Sequence, residues 1–278
     1  MENQFSIVTI VHKRTQALSR LIREIEKSRL LPLEVIVVWM GSPCSESLLT
    51  SPHFTIKHKF VANEHLPVSR ARNKGFDCCS ATRIIYLEVD CQIPSHLFDE
   101  LLNKLTVGQV VCPNVHYLAS TKECLPEQEL QHTPKLVPGH ATAPTDTPVS
   151  FTYFRTMAFA IHKRDYHTIG GFDEEFSGIG VGDIDFAMRC SQSGLTLIKT
   201  ASVVLYPDAG KLNPAILHLC DIVNNAARFK QKWGNYPMES WLRELVTAGL
   251  INDDYPHTGL RVKRMPTQQE LAACQPEE

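Results

Sequence analysis

The chain has 278 residues, 43% of them hydrophobic and 21% charged, with a formal net charge of -2. This composition belongs to a globular protein of one large or two small domains, and the near-zero charge argues against a nucleic-acid partner held by bulk electrostatics. No apolar run approaches the roughly 20 residues that span a bilayer, and the first four residues, MENQ, lack the basic and apolar regions of a secretory signal.

Residues 5–11 (FSIVTIV) are β-branched and apolar, the pattern of a buried first strand. A basic loop, His12-Lys13-Arg14-Thr15, follows, and then Leu18, Leu21, Ile22 and Ile25 recur at helical spacing. Pro32 ends that helix, and residues 33–39 (LEVIVVW) form a second buried strand closing at Gly41-Ser42. Strand, helix and strand in that order predict a βαβ unit, so the sheet starts parallel. No G-x-G-x-x-G follows the first strand and no G-x-x-x-x-G-K-[ST] occurs anywhere, which excludes a dinucleotide-binding motif and a P-loop.

Residues 56–61 suggest a short third strand. Ser69 is placed to cap a helix running through Ala71-Arg72-Asn73-Lys74-Gly75. Arg70, Arg72 and Lys74 at the start of that helix oppose its dipole, so an anion such as a diphosphate is attractive there. Next comes the apolar run Ile84-Ile85-Tyr86-Leu87, which stops at Glu88-Val89-Asp90. In extended backbone Glu88 and Asp90 face the same side. Two hard oxygen ligands at the carboxyl end of a buried parallel strand suit Mg²⁺ or Mn²⁺ and a phosphate-bearing substrate. The competing reading is a strand ending in a solvated acidic turn.

Beyond Pro113 the texture changes, with prolines at 126, 134, 138, 144 and 148 and no periodicity, and residues 113–150 read as a mobile loop at an active-site mouth. Residues 151–154 and 158–161 look strand-like. Then Gly170 to Asp185 holds five glycines and five acids in sixteen residues, a tight loop leading into a helix with Asp183 at its N-cap or first turn. Gly194 stops that helix, and residues 195–205 read as a last strand. Trp241, Leu242, Leu245, Val246 and Leu250 outline a further amphipathic helix, and the chain from Asp253 reads as a fraying end. Nine cysteines without a C-x-x-C pair read as reduced thiols of a cytoplasmic protein.

Taken together, an apolar first strand with Arg14 nearby, the A-R-N-x-G segment 71–75, the E-x-D at 88–90 and the G-G-F-D-E-x-F-x-G-x-G-x-x-D-x-D-F run from Gly170 resemble a family 2-type glycosyltransferase. The likeness covers residues 5–234 and is similar to the galactosyltransferase and N-acetylgalactosaminyltransferase branch. It implies a single α/β GT-A (Rossmann-like) domain over residues 1–235, with a mostly parallel sheet flanked by helices. Within it, residues 1–112 would bind nucleotide-sugar and 151–235 the acceptor, and 236–278 would be a C-terminal helical extension and tail. The function implied is inverting transfer of a hexose or N-acetylhexosamine from a UDP-sugar to a hydroxyl of a glycan or glycolipid.

Residue by residue, the resemblance gives Asp183 the role of general base and makes Asp185 and Gly182 acceptor-binding or structural. It puts Arg14, Trp39, Arg70, Arg72, Asn73, Glu88, Val89 and Asp90 at the nucleotide-sugar, and Asp90, Glu88 and His218 at Mn²⁺ or Mg²⁺. Two departures stand out: the second strand ends in Trp39-Met40 rather than in the family's base-recognising acid, and Gly182 replaces a Glu associated with the acceptor. They keep open a non-catalytic nucleotide-sugar- or glycan-binding protein. A sugar-nucleotide pyrophosphorylase is disfavoured because the loop at 12–15 has no glycine. Nucleic acid is not an expected partner, whereas peripheral contact with a membrane is compatible with a glycolipid acceptor.

Overall fold

A computed structural model describes residues 4–43, 48–61, 66–118, 144–207 and 214–274. Among the described residues eight strands are formed: β1 (Phe5–Val11), β2 (Glu34–Met40), β3 (Thr55–Val61), β4 (Arg83–Leu87), β5 (Gln109–Leu118), β6 (Pro148–Val149), β7 (Ala158–His162) and β8 (Thr196–Pro207). They make one sheet in the order β3-β2-β1-β4-β7-β5-β8-β6. Neighbours β3, β2, β1 and β4 run parallel, as do β5 and β8. Strand β7 is inserted antiparallel between β4 and β5, and β6 lies antiparallel on β8. The expected mostly parallel sheet is therefore present.

Every residue of β1 and β2 is buried, as continuous apolar runs in a sheet covered on both faces require. Alternation divides them between two cores. Ile7, Val37 and Ile85 face a core shared with α1 (Thr15–Glu26) and α3 (Leu97–Lys104), which contribute Leu21, Ile25, Phe98 and Leu101. Val8, Val38 and Ile84 face the other core with α2 (Val68–Asp77) and α5 (Gly182–Gln192). Each fully buried side chain of this size contributes about 1.5–3 kcal/mol of transfer free energy. Gly75 lets α2 lie against β1, since a Cβ there would meet Val8 Cγ1 at 2.4 Å.

Several sequence expectations are corrected. Residues 151–154 are not a strand: Phe151–Tyr153 form a 3₁₀ turn capped by Ser150, whose hydroxyl accepts from the Thr152 amide. Ser69 does not cap α2, because the helix begins one residue earlier and the Ser69 hydroxyl donates to the Phe176 carbonyl at 3.2 Å. The segment 113–150 is strand up to Leu118, and its remainder as far as residue 143 lies outside the described residues. From Asp253 as far as residue 274 the described chain is not loose. It forms α9 (Tyr255–Thr258), following the short α4 (Lys163–Thr168) and α6 (Pro214–Leu217) and the longer α7 (Leu219–Trp233) and α8 (Glu239–Thr247). Buried Asn252 bonds Asp254, Gly259 and Arg261, and α10 (Gln268–Ala273) opens with a Thr267–Glu270 capping box. Leu219 and Ile222 of α7 share one small core with Leu242 and Leu245 of α8, so a boundary at residue 235 runs between helices that pack together.

Candidate active site

The carboxyl ends of β1, β2 and β4 open on a cavity of about 530 Å³. His12 and Arg14 come from the loop after β1, Met40 from the end of β2, and Ser69 and Arg72 from α2. Glu88, Val89 and Asp90 follow β4 and face the same space, although as a turn closed by the Cys91 amide on the Glu88 carbonyl (3.0 Å) rather than as extended strand. Opposite them stand Gly178, Gly180, Gly182 and Asp183.

Arg72 organises this cavity. It is 5% exposed, and its guanidinium donates to the Tyr86 hydroxyl (3.1 Å), to Asp183 Oδ1 (2.6 Å) and to Glu88 Oε1 (2.7 Å). Its guanidinium carbon lies over the rings of Phe172 (4.8 Å) and Tyr86 (5.2 Å). Burial works against the charge, but Asp183, Tyr86 and Glu88 outweigh it and hold the Arg72 pKa above its ordinary value. Burial likewise pushes the Tyr86 phenol up, so it stays protonated and donates to Glu88 at 2.7 Å. Thr156, ahead of β7, donates to Asp183 Oδ2. Both Asp183 oxygens are thus held from the protein side while the side chain remains 45% exposed to the cavity.

Asp90 is paired with Arg14, whose Nε and Nη2 approach Oδ1 at 3.1 and 2.5 Å. That guanidinium is exposed, so a phosphate or solvent can replace the contact at little cost. Among the described residues no three His, Cys, Asp or Glu side chains are arranged to hold a metal. His218 immediately precedes α7 and lines neither this cavity nor its neighbour. The donor set that remains, Asp90 with Glu88, fits Mg²⁺ or Mn²⁺ in the manner of ions that take one or two carboxylates and complete their shell with phosphate oxygens and water.

The glycine-rich loop is locked by side chains from α2 and α7. Asn73 donates to the Phe172 carbonyl (2.8 Å) and accepts from the Phe172 amide (2.8 Å) and the Tyr166 hydroxyl (2.6 Å). Asn225 donates to the carbonyls of Ser177 (2.7 Å) and Ile179 (3.0 Å). Gly178 has φ +67°, which strains any other residue, and a Cβ there would fall 2.0 Å from Asp221 Oδ2 and displace that carboxylate. Gly182 is different: a Cβ would meet nothing nearer than Ser69 Oγ at 3.5 Å. Its missing side chain leaves cavity space rather than satisfying the backbone. Asp185 is fully buried, accepting from Arg189 (2.8 Å), Trp233 (3.0 Å) and Lys232 (2.7 Å), and anchors α5 to α7.

Of the residues the sequence singled out, the structure brings Arg14, Arg72, Glu88, Val89, Asp90, Gly182 and Asp183 to one cavity. It does not bring Trp39, Arg70, Asn73, Asp185 or His218 there. Trp39 faces the opposite side of β2 from Met40, is 3% exposed, and donates its indole N–H to His58 Nδ1 at 3.0 Å. It belongs to the core and is not free to stack on a base. Arg70 is exposed on α2, and Asn73 spends its amide on the loop. Arg72 holds carboxylates rather than presenting a free fork to phosphate. Sequence reading missed Tyr86, Thr156 and Asn225. Tyr86 is hidden in an apolar strand run, and nothing near Thr156 in the sequence marks it.

A second cavity of about 760 Å³ adjoins the first, with Gly180, Asp183 and Trp241 lining both. Its walls come from the 3₁₀ turn, the segment before β7, one face of α5, and α8.

A family model described as glycosyltransferase like family 2 matches residues 7–214. No curated protein matches the chain in sequence. The fold is similar to that of GalNAc-T7, in a crystal structure with UDP, GalNAc and Mn²⁺, at TM-score 0.54 and 15% identity over 74% of this chain and 43% of that one. It is also similar to S. aureus TarS residues 1–349 in complex with UDP, at TM-score 0.57 and 12% identity over 92% and 72% of the two chains. The mannosyltransferase PcManGT from Pyrobaculum calidifontis, in complex with GDP-Man and Mn²⁺, aligns at TM-score 0.56 and 12% identity over 88% and 68%. The chain therefore spans less than half of the GalNAc-T7 chain, and identities this low establish likeness of fold alone. Among the described residues no helix is long and apolar enough to cross a membrane.

Proposed function

The chain belongs to the glycosyltransferase-like family 2, and on that footing we propose that it moves a hexose or N-acetylhexosamine from a UDP-sugar to an acceptor hydroxyl of a glycan or glycolipid with inversion. The observation that carries this reading is the position of Asp183, a half-exposed carboxylate on the wall common to two cavities. UDP is the nucleotide bound in two of the three similar structures. The seven cysteines among the described residues are free thiols, which supports a cytoplasmic setting.

The diphosphate of the donor lies in the first cavity, where Arg14 can exchange Asp90 for a phosphate oxygen. A Mn²⁺ or Mg²⁺ held by Asp90 with Glu88 would offset charge on the departing nucleoside diphosphate. Arg72 keeps Glu88 and Asp183 in register from behind. The acceptor hydroxyl enters from the second cavity, on the face of the sugar remote from the diphosphate. As its oxygen bonds to the anomeric carbon and the bond to the phosphate oxygen breaks, the hydroxyl proton passes to Asp183. Arg72 and Thr156 each bond one carboxylate oxygen, which fixes the orientation of the base and leaves a lone pair on each for the proton.

Asp183→Asn tests this reading. Transfer is expected to fall by roughly 10²–10⁴-fold, the contribution of positioned acid–base catalysis, while UDP binding in the presence of Mn²⁺ is unchanged. Transfer at the wild-type rate would remove Asp183 from the mechanism. A wild-type protein that binds UDP-sugar but neither transfers nor hydrolyses it would instead be a nucleotide-sugar-binding protein.

A further inference from the structure

The second cavity has a composition that bears on what it accepts. Its wall is mainly apolar, with Phe151, Phe154, Met157, Ile184, Met188 and Trp241 among the side chains that form it. At about 760 Å³ it lies within the range of small-molecule pockets. A bare oligosaccharide would bring many hydroxyls into this space and find few partners, since the Thr156 hydroxyl is already committed to Asp183. An apolar group loses nothing on entering it.

Besides Asp183, Arg155 brings a charge to this wall. Arg155 is half-buried, and its Nη1 donates to the carbonyls of Thr152 (2.9 Å) and Phe154 (2.7 Å). Among the described residues no carboxylate pairs with it, in contrast to Arg72, which holds two. A second cation lies close by: Lys199 is 3% exposed and donates only to the Pro113 carbonyl among the described residues. Burial lowers the Lys199 pKa, and the charge of Arg155 lowers it further. Among the described residues neither of these neighbouring cations has an acid partner.

We propose that the second cavity binds an amphiphilic acceptor, whose reactive sugar hydroxyl meets Asp183 while an apolar aglycone fills the pocket and places an anionic group on Arg155. This deepens the transferase reading and rests on Asp183 as the base. The face of α5 that begins with Asp183 continues through Ile184, Ala187 and Met188, so the hydroxyl and the aglycone are read by one helix.

Two experiments on the intact protein test it. In the first, the probes are 1-anilinonaphthalene-8-sulfonate and its uncharged counterpart N-phenyl-1-naphthylamine, titrated by fluorescence. The wild type is expected to bind both and to favour the sulfonate by about tenfold, the size of one charge-assisted hydrogen bond. Arg155→Gln should abolish that preference, and Ile184→Trp, on an exposed position of the cavity wall, should weaken both probes. In the second, a UDP-sugar is offered with methyl, phenyl and 4-carboxyphenyl glycosides of one sugar. KM should fall in that order, and Arg155→Gln should raise it only for the carboxylate. Equal KM values for the three glycosides, or probe binding indifferent to Ile184→Trp and Arg155→Gln, would overturn the proposal. Failure of transfer to every glycoside, with the probe pattern intact, would overturn the transferase reading and leave the cavity's ligand class standing.

Discussion

Replacing Arg72 by methionine separates two accounts of this site. The sequence places Arg72 at a diphosphate, whereas the structure spends its three nitrogens on Tyr86, Glu88 and Asp183. Methionine is apolar and of similar length, so the contact with the rings of Phe172 and Tyr86 is largely kept and the polar arms are lost. Breaking one side of a buried ion pair costs about 3–5 kcal/mol. Here the loss is softened, because Asp183 is 45% exposed and regains water, and Glu88 is 18% exposed and retains the Tyr86 hydroxyl at 2.7 Å. The low end, about 3 kcal/mol, is therefore expected. At about 2–4 °C per kcal/mol for domains of this size, Tm should drop by roughly 6–12 °C. Transfer should fall with it, since Asp183 loses the donor that orients Oδ1. The assay pairs thermal unfolding with UDP titration in Mn²⁺. A Tm within 2–3 °C of wild type (the shift of about 1 kcal/mol), with UDP affinity lowered tenfold or more, would refute this reasoning and return Arg72 to the phosphates.

Asp90→Asn should abolish the gain in UDP affinity on adding Mn²⁺ without lowering Tm, and a wild type whose UDP affinity ignores EDTA would contradict the metal assignment. Trp39→Ala should cost about 3–5 kcal/mol of stability, as large aromatic truncations in cores do, and leave UDP affinity unchanged; a selective loss of nucleotide would put the indole at the base after all. Glu34 is buried and accepts from Ser6 (2.7 Å) and the Ser80 amide (2.5 Å) and pairs with Lys57. Burial raises its pKa, but Lys57, the Ser80 amide and Ser6 together pull it below the ordinary 4.5. Its stabilisation is therefore complete above that value and lost as pH falls through the lower folded-state value. Chemical denaturation of Glu34→Gln across that acidic range should show a shallower pH dependence than wild type, and identical slopes would contradict the assignment.

What the sequence determined by itself is the local and repetitive part. The uniform apolar runs of β1, β2 and β4 and the helical spacing of Leu18, Leu21, Ile22 and Ile25 announce a parallel sheet with covering helices, because burial on both faces leaves no other pattern. The same holds for the places where chemistry gathers, Glu88-Val89-Asp90 and the glycine-rich run ending at Asp183, since abrupt charge after an apolar strand and dense glycine are visible without coordinates. Tertiary structure alone decided which side chains act together. The Arg72–Asp183 bond joins residues 111 positions apart, and Asn73 and Tyr166 meet across 93. No local propensity encodes such pairs. Trp39 and Met40 are adjacent in sequence, yet a strand sends one into the core and the other into the cavity, and only the position of the neighbouring helices says which. Two of the short cues that failed, Ser69 as a cap and residues 253–274 as loose chain, failed for the same reason: Phe176 and the small core around α7 and α8 supplied long-range partners that outweighed local preference.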